Sequence, residues 1–276
     1  MSELAPAASE IAPAKLNLAL HVRGKLPDGR HAIETVFAFC TDGDRLSGEG
    51  RSLQEGLSLA VRGPFAAELP IGEDNLVFKA ACALAGRAAV SEGAALTLDK
   101  RLPVASGIGG GSADAAAALR LLTALWRIDP RHAQDVAPTL GSDVPACLLS
   151  LPARGEAAGD ELTPIALPGL SGTPVLLVNP RVPLSTVEVF ARWDGEDRGA
   201  LGDWRDGRND LEAPAIALVP QIGAVLAWLS AQAGATFVRM SGSGATCLAL
   251  FESEAARDSA ADAVPREWWR LATYLR

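Results

Sequence analysis

A run of glycines is the first stretch whose composition indicates chemistry. Four glycines fall within the five positions Gly107–Gly111, between the alternating segment 94–100 and the alanine-rich segment 113–126. Glycine inside regular structure costs about 0.5–1 kcal/mol relative to alanine, so a cluster indicates a sharp turn or a close approach to a ligand. The alternation predicts a strand, and the apolar spacing predicts a helix. A glycine loop before a helix gathers backbone N–H groups and predicts a phosphate site.

Three alternative kinds of glycine loop fit this stretch less well. A tight connection also uses glycine, but one glycine suffices for it. The Walker loop ends in Gly-Lys-Ser/Thr, and no lysine follows these glycines. The dinucleotide fingerprint fails because Ser112 stands where its third glycine belongs. This failure argues against an NAD-dependent dehydrogenase.

Three further stretches carry polar residues in unusual settings. Lys15 and Asn17 in "PAKLNL" lie two apart on a predicted strand, so they share one face. Asp143 in "LGSDVPACLL" stands in a loop between apolar segments. Small residues at 241–245 join two apolar runs. A solvated strand face, a turn aspartate and a glycine hairpin would explain each stretch singly. Together with the glycine loop they favour a site.

The elements that position these residues alternate without strict βαβ order, which predicts an α+β fold. Strands are expected at 11–22, 32–39, 57–62, 94–100, 174–180 and on both sides of the turn at 241–245, with another at the C-terminus. Helices are expected from Asp74, after the glycine loop, from Asp129, after a cap at Ser185 or Thr186, from 222 to Gly234, and over 252–264. "GSDVPACLLS" is expected as a loop leading into a strand, and 196–210 as a surface loop. Proline and glycine at 152–174 predict a boundary between domains 1–160 and 161–276.

Composition narrows the class of protein. The 276 residues are 49% hydrophobic and 21% charged, with a net charge of −8, which disfavours a nucleic-acid groove. The four cysteines form no C-x-x-C pair, which is typical of a reduced cytoplasmic protein. The three histidines lack metal-ligand spacing. The first residues have no basic and apolar signal pattern, and apolar runs are short, so neither a secretory signal nor a membrane span is expected.

The combination resembles the GHMP kinase superfamily, which includes galactokinase, homoserine kinase and mevalonate kinase. The motifs stand in family order within residues 13–251, and they read "PAKLNLAL", "LPDGRHAIETVF", "EDNLVFKAA", "KRLPVASGIGGGSADAAAAL", "LGSDVPACL", "NDLE" and "MSGSGATCLALF". The resemblance implies an N-terminal ribosomal-protein-S5-like domain with a left-handed βαβ crossover, a C-terminal ferredoxin-like domain, and a site in the cleft between them. "PAKLNL" with "DGRH" is similar to the members that phosphorylate a cytidyl diphosphate ester of methylerythritol.

The resemblance also implies roles for individual residues. The catalytic pair is Lys15 and Asp143: the carboxylate takes the proton of the attacking hydroxyl, and the ammonium keeps it ionised. The expected ATP-binding residues are Pro103, Val104, Ala105, Ser106, Gly107, Ile108, Gly109, Gly110, Gly111, Ser112, Ala113, Asn75 and Lys100. The expected substrate-binding residues are Asn17, Arg30, His31, Thr186, Phe190 and Gly242. Mg²⁺ is expected to arrive with ATP, with the Ser112 hydroxyl as its protein neighbour.

Two positions depart from the family pattern. Arg30 stands where the family usually has tyrosine, and Ala113 replaces the second serine of the loop. An arginine plane can also stack on a base. The alternatives are a sibling kinase for homoserine or a mevalonate-type alcohol, and a nucleotide-binding regulator without turnover. The expected partners are small molecules, with no nucleic acid and no membrane, in a cytoplasmic monomer or homodimer.

Overall fold

The computed structural model describes residues 8–52, 54–70 and 72–276, which form two compact units. Unit 1 comprises the described chain up to Ala14 together with Asp42–Val104 and Gly110–Leu149. Unit 2 comprises Lys15–Thr41, Ala105–Gly109 and Ser150–Arg276. The domain division at residue 160 stays a prediction. No helix of the described residues is long and apolar enough to cross a membrane.

The secondary structure mixes strands and helices, as the sequence predicts. The strands are β1 (Ala8–Lys25), β2 (His31–Ser52), β3 (Leu57–Arg62), β4 (Glu92–Asp99), β5 (Ala153–Glu156), β6 (Glu161–Pro164), β7 (Pro174–Asn179), β8 (Ala235–Met240), β9 (Cys247–Phe251) and β10 (Trp269–Tyr274). The helices are α1 (Leu76–Ala88), α2 (Gly110–Leu125), α3 (Arg131–Leu140), α4 (Val144–Leu149), α5 (Thr186–Ala191), α6 (Glu212–Leu218), α7 (Gln221–Ser230) and α8 (Glu254–Ala263).

Unit 1 contains paired strands and a group of helices that pack against one another. The second half of β2 runs antiparallel to β4, and β3 runs parallel to β4. Helix α1 is the crossover that this parallel pair requires, since parallel neighbours cannot be joined by a hairpin. The handedness of this crossover stays a prediction. Helix α2 is buried along most of its length, and its alanines allow close packing against α1 and α4.

One predicted element of unit 1 is wrong. The sequence predicts a loop at "GSDVPACLLS", but Val144–Leu149 form helix α4. Pro145 at the second position suits a helix start, because its fixed φ matches the helix and its missing N–H would have no partner there. A short apolar run cannot be told from a strand by periodicity alone. Asp143 therefore precedes a helix rather than a strand.

The sheet of unit 2 has the order β10–β7–β9–β8, and its neighbouring strands are antiparallel. Numbered within this sheet alone, the strands have the order 4-1-3-2, and with helices after the first and third they form the βαββαβ pattern of ferredoxin-like folds. The core includes Leu176, Val178, Ile222 and Leu229. A β5–β6 hairpin also pairs with the first half of β2, at Thr35–Phe37.

Several helix boundaries in the chain differ from expectation. Helix α1 is capped by Asn75 and not by Asp74, since the Asn75 side chain accepts the Val77 N–H at 2.9 Å. Of the two candidate caps before α5, Ser185 is the one used. Helix α7 ends at Ser230, and Gly234 instead lies before β8 with φ +77°. Helix α6 begins after Leu211 and was not predicted.

Segment 196–210 is a largely exposed loop, as predicted, but two of its apolar residues are buried. Leu201 and Trp204 are buried. Glu34 accepts the Leu201 N–H at 2.6 Å, and Arg154 donates to the Leu201 carbonyl at 2.9 Å. The polar composition of the segment predicts the loop but does not indicate these two hydrogen bonds or the burial of Leu201 and Trp204.

Candidate active site

The glycine loop ends in the N-terminus of helix α2, as predicted. Strand β4 ends at Asp99, and α2 begins at Gly110. Gly107 and Gly109 have φ of +78° and +63°, values that side chains disfavour. Buried residues of the loop (Pro103, Ser106, Ile108, Gly110, Ala113) alternate with more accessible ones (Val104, Ala105, Gly107, Gly109, Gly111, Ser112). The exposed Gly111 and half-buried Ser112 lie in the first turn of α2, where backbone N–H groups have no helical acceptor.

Gly107 lies against the glycine turn that joins β8 to β9. A Cβ on Gly107 would stand 2.5 Å from the Ser241 carbonyl oxygen and 2.6 Å from that of Gly244. The Ser241 hydroxyl donates to the Gly107 carbonyl at 3.0 Å, and the Thr246 N–H donates to the Ser106 carbonyl at 3.1 Å. Gly242 has φ +56°, so the turn also needs glycine on its own account. The two glycine-rich motifs thus form one packed unit.

Lys15 and Asn17 share one face of β1, as their spacing predicts. The Lys15 ammonium donates to the Asn17 side-chain oxygen at 3.1 Å and stands 4.9 Å from the centre of the Phe37 ring. The Asn17 amide donates to Thr35 Oγ1 at 2.7 Å. Both side chains are buried, although a solvated face would expose them. This excludes a solvated polar strand face.

Strand β1 is also bonded to both glycine motifs. The Lys15 N–H donates to the Ile108 carbonyl at 3.0 Å. The Asn17 N–H donates to the Ser241 hydroxyl at 3.1 Å. The same hydroxyl donates its proton to Gly107, so one serine joins the strand to the loop.

Lys100 is buried between two carboxylates of unit 1. Its ammonium lies 2.6 Å from Asp44 and 2.6 Å from Asp114, and 1% of its side chain is exposed. Burial alone would lower the pKa of Lys100, but the two carboxylates outweigh it and raise the pKa. Burial also raises the pKa of Asp114 to about 8, against the opposing effect of Lys100. Gly110 leaves room for this ammonium, since a Cβ there would stand 3.0 Å from it.

Asp44 holds the entry of the glycine loop. Its second oxygen accepts the Arg101 N–H at 2.5 Å and the Leu102 N–H at 2.8 Å. The three charged residues therefore tie β2, the end of β4 and the second turn of α2 together. Through Asp44, Lys100 is linked to the backbone of Arg101 and Leu102, and its contact with a nucleotide stays a prediction.

Asp143 and Asn75 both occupy helix starts. The Asp143 carbonyl accepts the Cys147 N–H at 3.0 Å, the first bond of helix α4. Asn75 caps α1, and its amide also donates to the Pro70 carbonyl at 3.3 Å. A capping role does not exclude ligand contact, and the roles of both residues stay predictions.

An aromatic group surrounds the predicted base-binding residue His31. Its ring stacks on Phe190 with centroids 4.6 Å apart, and Trp193 meets it edge-on at 5.8 Å. Burial lowers the pKa of His31, with a smaller effect from Lys25, so the ring is neutral at neutral pH. On the same helix as Phe190, the exposed Thr186 hydroxyl lies 2.8 Å from that of Ser243, beside Gly242.

Arg30 is held by acids rather than aimed at an aromatic ring. Its guanidinium lies 2.7 Å from Asp28 and 2.8 Å from Asp160, with about half of the side chain exposed. Hydrogen bonds that Arg30 donates to these carboxylates, Asp160 first, raise the pKa of Arg30. A contact with the substrate stays a prediction.

Comparison with known proteins identifies the family. The chain is 54% identical to the 4-diphosphocytidyl-2-C-methyl-D-erythritol kinase of Rhizorhabdus wittichii, over 97% of this chain and 94% of that one. It is 48% identical to the protein of that name from Hyphomonas neptunium, over 96% and 95%. The models of the GHMP kinases N terminal domain and of GHMP kinases C terminal match residues 75–150 and 190–271. The chain is a GHMP kinase.

Solved structures of other GHMP kinases share its fold. A crystal structure of 4-(cytidine 5'-diphospho)-2C-methyl-D-erythritol kinase superposes with a TM-score of 0.83 at 33% identity, covering 97% of this chain and 99% of that one. A homoserine kinase from Cytophaga hutchinsonii superposes with a TM-score of 0.69 at 16% identity, over 100% and 96%. The second likeness shows the fold alone.

The site of this GHMP kinase contains residues that sequence reasoning missed. Asp44 and Asp114 hold Lys100, and Ser241 joins Asn17 to Gly107. Asp44 lies 56 residues from Lys100, so no spacing rule could pair them. An aspartate two residues after Ser112 in a buried helix was a signal for Asp114, because a buried carboxylate needs a partner.

Proposed function

We propose that this GHMP kinase transfers the γ-phosphoryl group of ATP to the 2-hydroxyl of 4-diphosphocytidyl-2-C-methyl-D-erythritol. The products are the 2-phosphate and ADP, in the non-mevalonate pathway of isoprenoid biosynthesis. The observation that carries the proposal is the 54% identity, over nearly the whole of both chains, to a relative that bears this enzyme's name. We assign the N-terminal domain to residues 1–160 and the C-terminal domain to 161–276. ATP is available in the cytoplasm, and we place the monomer or homodimer there.

ATP binds at residues 103–113 in this proposal. Backbone N–H groups at the start of α2 and the positive end of its dipole stabilise phosphate oxygens. Gly111 supports this assignment because it is exposed and a Cβ there meets nothing within 4 Å, so the backbone is open to a ligand. Asn75 and Lys100 complete the nucleotide side.

Mg²⁺ fits this site as a companion of the nucleotide. Among residues 8–52, 54–70 and 72–276, no group of three or more His, Cys, Asp or Glu side chains could hold a metal ion. Mg²⁺ is commonly bound through substrate phosphates and few protein groups, which suits such a donor set. The half-buried Ser112 hydroxyl is its protein neighbour here. When bound, the ion neutralises phosphate charge.

Asp143 and Lys15 carry the chemical step. The substrate oxygen attacks the γ-phosphorus, its proton passes to the Asp143 carboxylate, and the bond to the bridging oxygen breaks to release ADP. The positive charge of the Lys15 ammonium stabilises the negative charge that develops on the reacting oxygens. Its ammonium is oriented by Asn17 at 3.1 Å and by the Phe37 ring, so it needs little reorganisation during the reaction.

The cytidine end binds near His31 and Phe190. The neutral His31 ring can donate and accept hydrogen bonds at a cytosine edge. Phe190 supplies a face on which the base stacks, a contact worth about 1–3 kcal/mol per base in other nucleotide sites. Asn17, Thr186 and Gly242 hold the rest of the substrate, and Arg30 lies at the rim of this region.

A coupled assay of ADP release tests the proposal. Purified protein, ATP and Mg²⁺ are combined with the cytidyl substrate, with homoserine or with mevalonate. Release with the cytidyl compound alone is expected. Turnover with homoserine or mevalonate alone would show that the protein is a sibling kinase for that alcohol. ATP binding without any turnover would favour a non-catalytic regulator.

A further inference from the structure

We propose that Arg239 is a positioning residue that fixes strand β1, with its Lys15–Asn17 pair, against the strand leading into the glycine turn, an inference that rests on the proposed function. Arg239 lies on β8, two residues before Ser241. It does not touch the reacting groups in this account. It acts through the backbone of the residue that follows Asn17.

The guanidinium of Arg239 reaches three main-chain carbonyls on two other segments of the chain. It donates to Leu18 at 2.5 Å, to Trp204 at 2.9 Å and to Gly207. Leu18 lies on β1, while Trp204 and Gly207 lie in segment 196–210. One side chain therefore joins the glycine-turn strand, the catalytic strand and this segment.

The chain at 208–210 connects β8 to β1. In the order β10–β7–β9–β8 strand β8 is at the edge, so its outer carbonyls and N–H groups require partners from outside the sheet. The Asn209 amide supplies one of them, because it donates to the Met240 carbonyl at 2.9 Å. The residues on either side of Asn209 bond to β1, where Leu20 exchanges hydrogen bonds with Arg208 and Asp210. Arg239 continues this connection toward the Lys15–Asn17 end of β1.

The geometry of an arginine side chain suits a rigid set of hydrogen bonds to several carbonyls. Its planar group holds five donors in set directions, whereas lysine has a single rotating ammonium. Burial lowers the pKa of Arg239, countered in part by Glu212, yet arginine stays charged at any physiological pH. The guanidinium also lies 4.6 Å from the Phe237 ring centre, which fixes its plane. Release of Leu18 would loosen the neighbouring Asn17 N–H from Ser241 at 3.1 Å.

Arg257 provides a matched control. It is buried, whereas Arg239 is half-buried, and like Arg239 it lies 4.6 Å from a ring centre (Tyr274) and donates to a main-chain carbonyl, that of Thr273, at 2.7 Å. It belongs to helix α8 and makes no contact with β1 in the described chain. Loss of a buried arginine by itself is therefore measured at Arg257, and loss of positioning at Arg239.

The experiment compares Arg239→Met and Arg239→Lys with Arg257→Met in Tm, kcat and KM. Both methionine variants are expected to lower Tm. Misplacement of catalytic groups by about 1 Å can cost up to about 100-fold in rate, so we expect Arg239→Met to lower kcat by about 10–100-fold and Arg239→Lys by less. Arg257→Met is expected to keep kcat within about twofold of the wild type, since no such misplacement follows. Normal kcat in Arg239→Met, or an equal loss in both methionine variants, would overturn the inference.

Hydrogen exchange separates this inference from the proposed function. Peptides covering 15–20 should exchange faster in Arg239→Met than in Arg257→Met, whichever alcohol is the substrate. Unchanged exchange there would overturn the positioning role even if the wild type is active. If the wild type does not turn over the cytidyl substrate while hydrogen exchange changes as expected, the substrate assignment is wrong and the positioning role of Arg239 is supported. Should Arg239→Met not fold, Arg239→Lys carries both measurements.

Discussion

The Ser241 hydroxyl donates to the Gly107 carbonyl at 3.0 Å and accepts the Asn17 N–H at 3.1 Å. Asn17 and Ser241, which are 224 positions apart in sequence, are thus bonded directly, and the same oxygen links Asn17 to Gly107. The contact is close because neither Gly107 nor Gly242 has a side chain, and both backbones have positive φ. The predicted phosphate loop takes its shape from the turn between β8 and β9.

Replacing Gly107 should damage the site more than replacing Gly111. In Gly107→Ala a methyl group would meet backbone atoms at 2.5–2.8 Å, and a positive φ adds about 1–3 kcal/mol of strain. We expect a clear loss of Tm and of ATP affinity. Gly111→Ala has open space and a better helix former, so its Tm should not fall. Thermal unfolding with and without ATP measures both, and equal Tm values would contradict the packing described.

Removing the Asp143 carboxylate should stop the reaction without unfolding the protein. General-base catalysis contributes about 100–10,000-fold, so Asp143→Asn should lower kcat by at least about 100-fold. Asparagine also caps helices well, so α4 should persist. Asp135→Asn on α3, which removes an exposed ion pair with Arg87, is the control and should retain activity. Near-normal turnover in Asp143→Asn would remove its assigned role.

Removing the Lys100 ammonium should destabilise the protein strongly. Lys100→Met leaves Asp44 and Asp114 buried without their cation, a loss of about 3–5 kcal/mol for a broken buried pair. Lys79→Met removes an exposed ion pair with Asp74 and should change stability by less than about 1 kcal/mol. Urea unfolding gives both values. Similar midpoints for the two variants would show that the buried cluster carries little stability.

His21 should make stability fall in weak acid. Its Nε2 accepts the Arg208 N–H at 3.2 Å, so the proton of the neutral ring lies on Nδ1 and is donated to the Gly199 carbonyl at 3.0 Å. Burial, with a smaller effect from Arg208, lowers the pKa of His21 below its ordinary 6.5.

The direction of this pH dependence of stability follows from proton binding at His21. The unfolded chain binds a proton near pH 6.5 and the folded chain only at lower pH, so this contribution is present above pH 6.5 and is lost as pH falls toward the folded pKa. His21→Asn keeps a donor for Gly199 and cannot titrate. Its Tm should change less than that of the wild type between about pH 7 and 5. Parallel Tm curves would contradict the lowered pKa.

Truncating Phe190 should weaken substrate binding more than catalysis. If the cytosine stacks there, Phe190→Ala removes about 1–3 kcal/mol of binding, or about 5–150-fold in KM for the cytidyl substrate, with little change in kcat. Val187→Ala is the control, because Val187 lies on the same helix and is 77% exposed. An unchanged KM in Phe190→Ala would move the base elsewhere.

Local patterns predicted the strand, glycine loop and helix around 94–125, because strong alternation, a glycine cluster and a long apolar face agree there. The same local reasoning failed at α4, where six residues are too few to show a period. It predicted the loop at 196–210 but not the hydrogen bonds of Leu201 to Glu34 and Arg154, because those residues are distant in sequence.

In the candidate site, too, some residue pairs could be predicted from the sequence and others could not. Lys15 and Asn17 could be paired from their spacing, since a strand places alternate residues on one face. The Asp44–Lys100–Asp114 cluster and the reach of Arg239 to Leu18 could not, because tertiary packing alone brings those residues together.

Identification of the product is the most direct test of phosphoryl transfer to the 2-hydroxyl of the cytidyl substrate. The wild-type protein is incubated with ATP, Mg²⁺ and 4-diphosphocytidyl-2-C-methyl-D-erythritol, and the mixture is followed by mass spectrometry and phosphorus NMR. We expect the substrate to gain one phosphoryl group as a monoester on the 2-hydroxyl, with one ADP formed per product. ADP with free phosphate and an unmodified substrate, or a phosphoryl group at another hydroxyl, would contradict it.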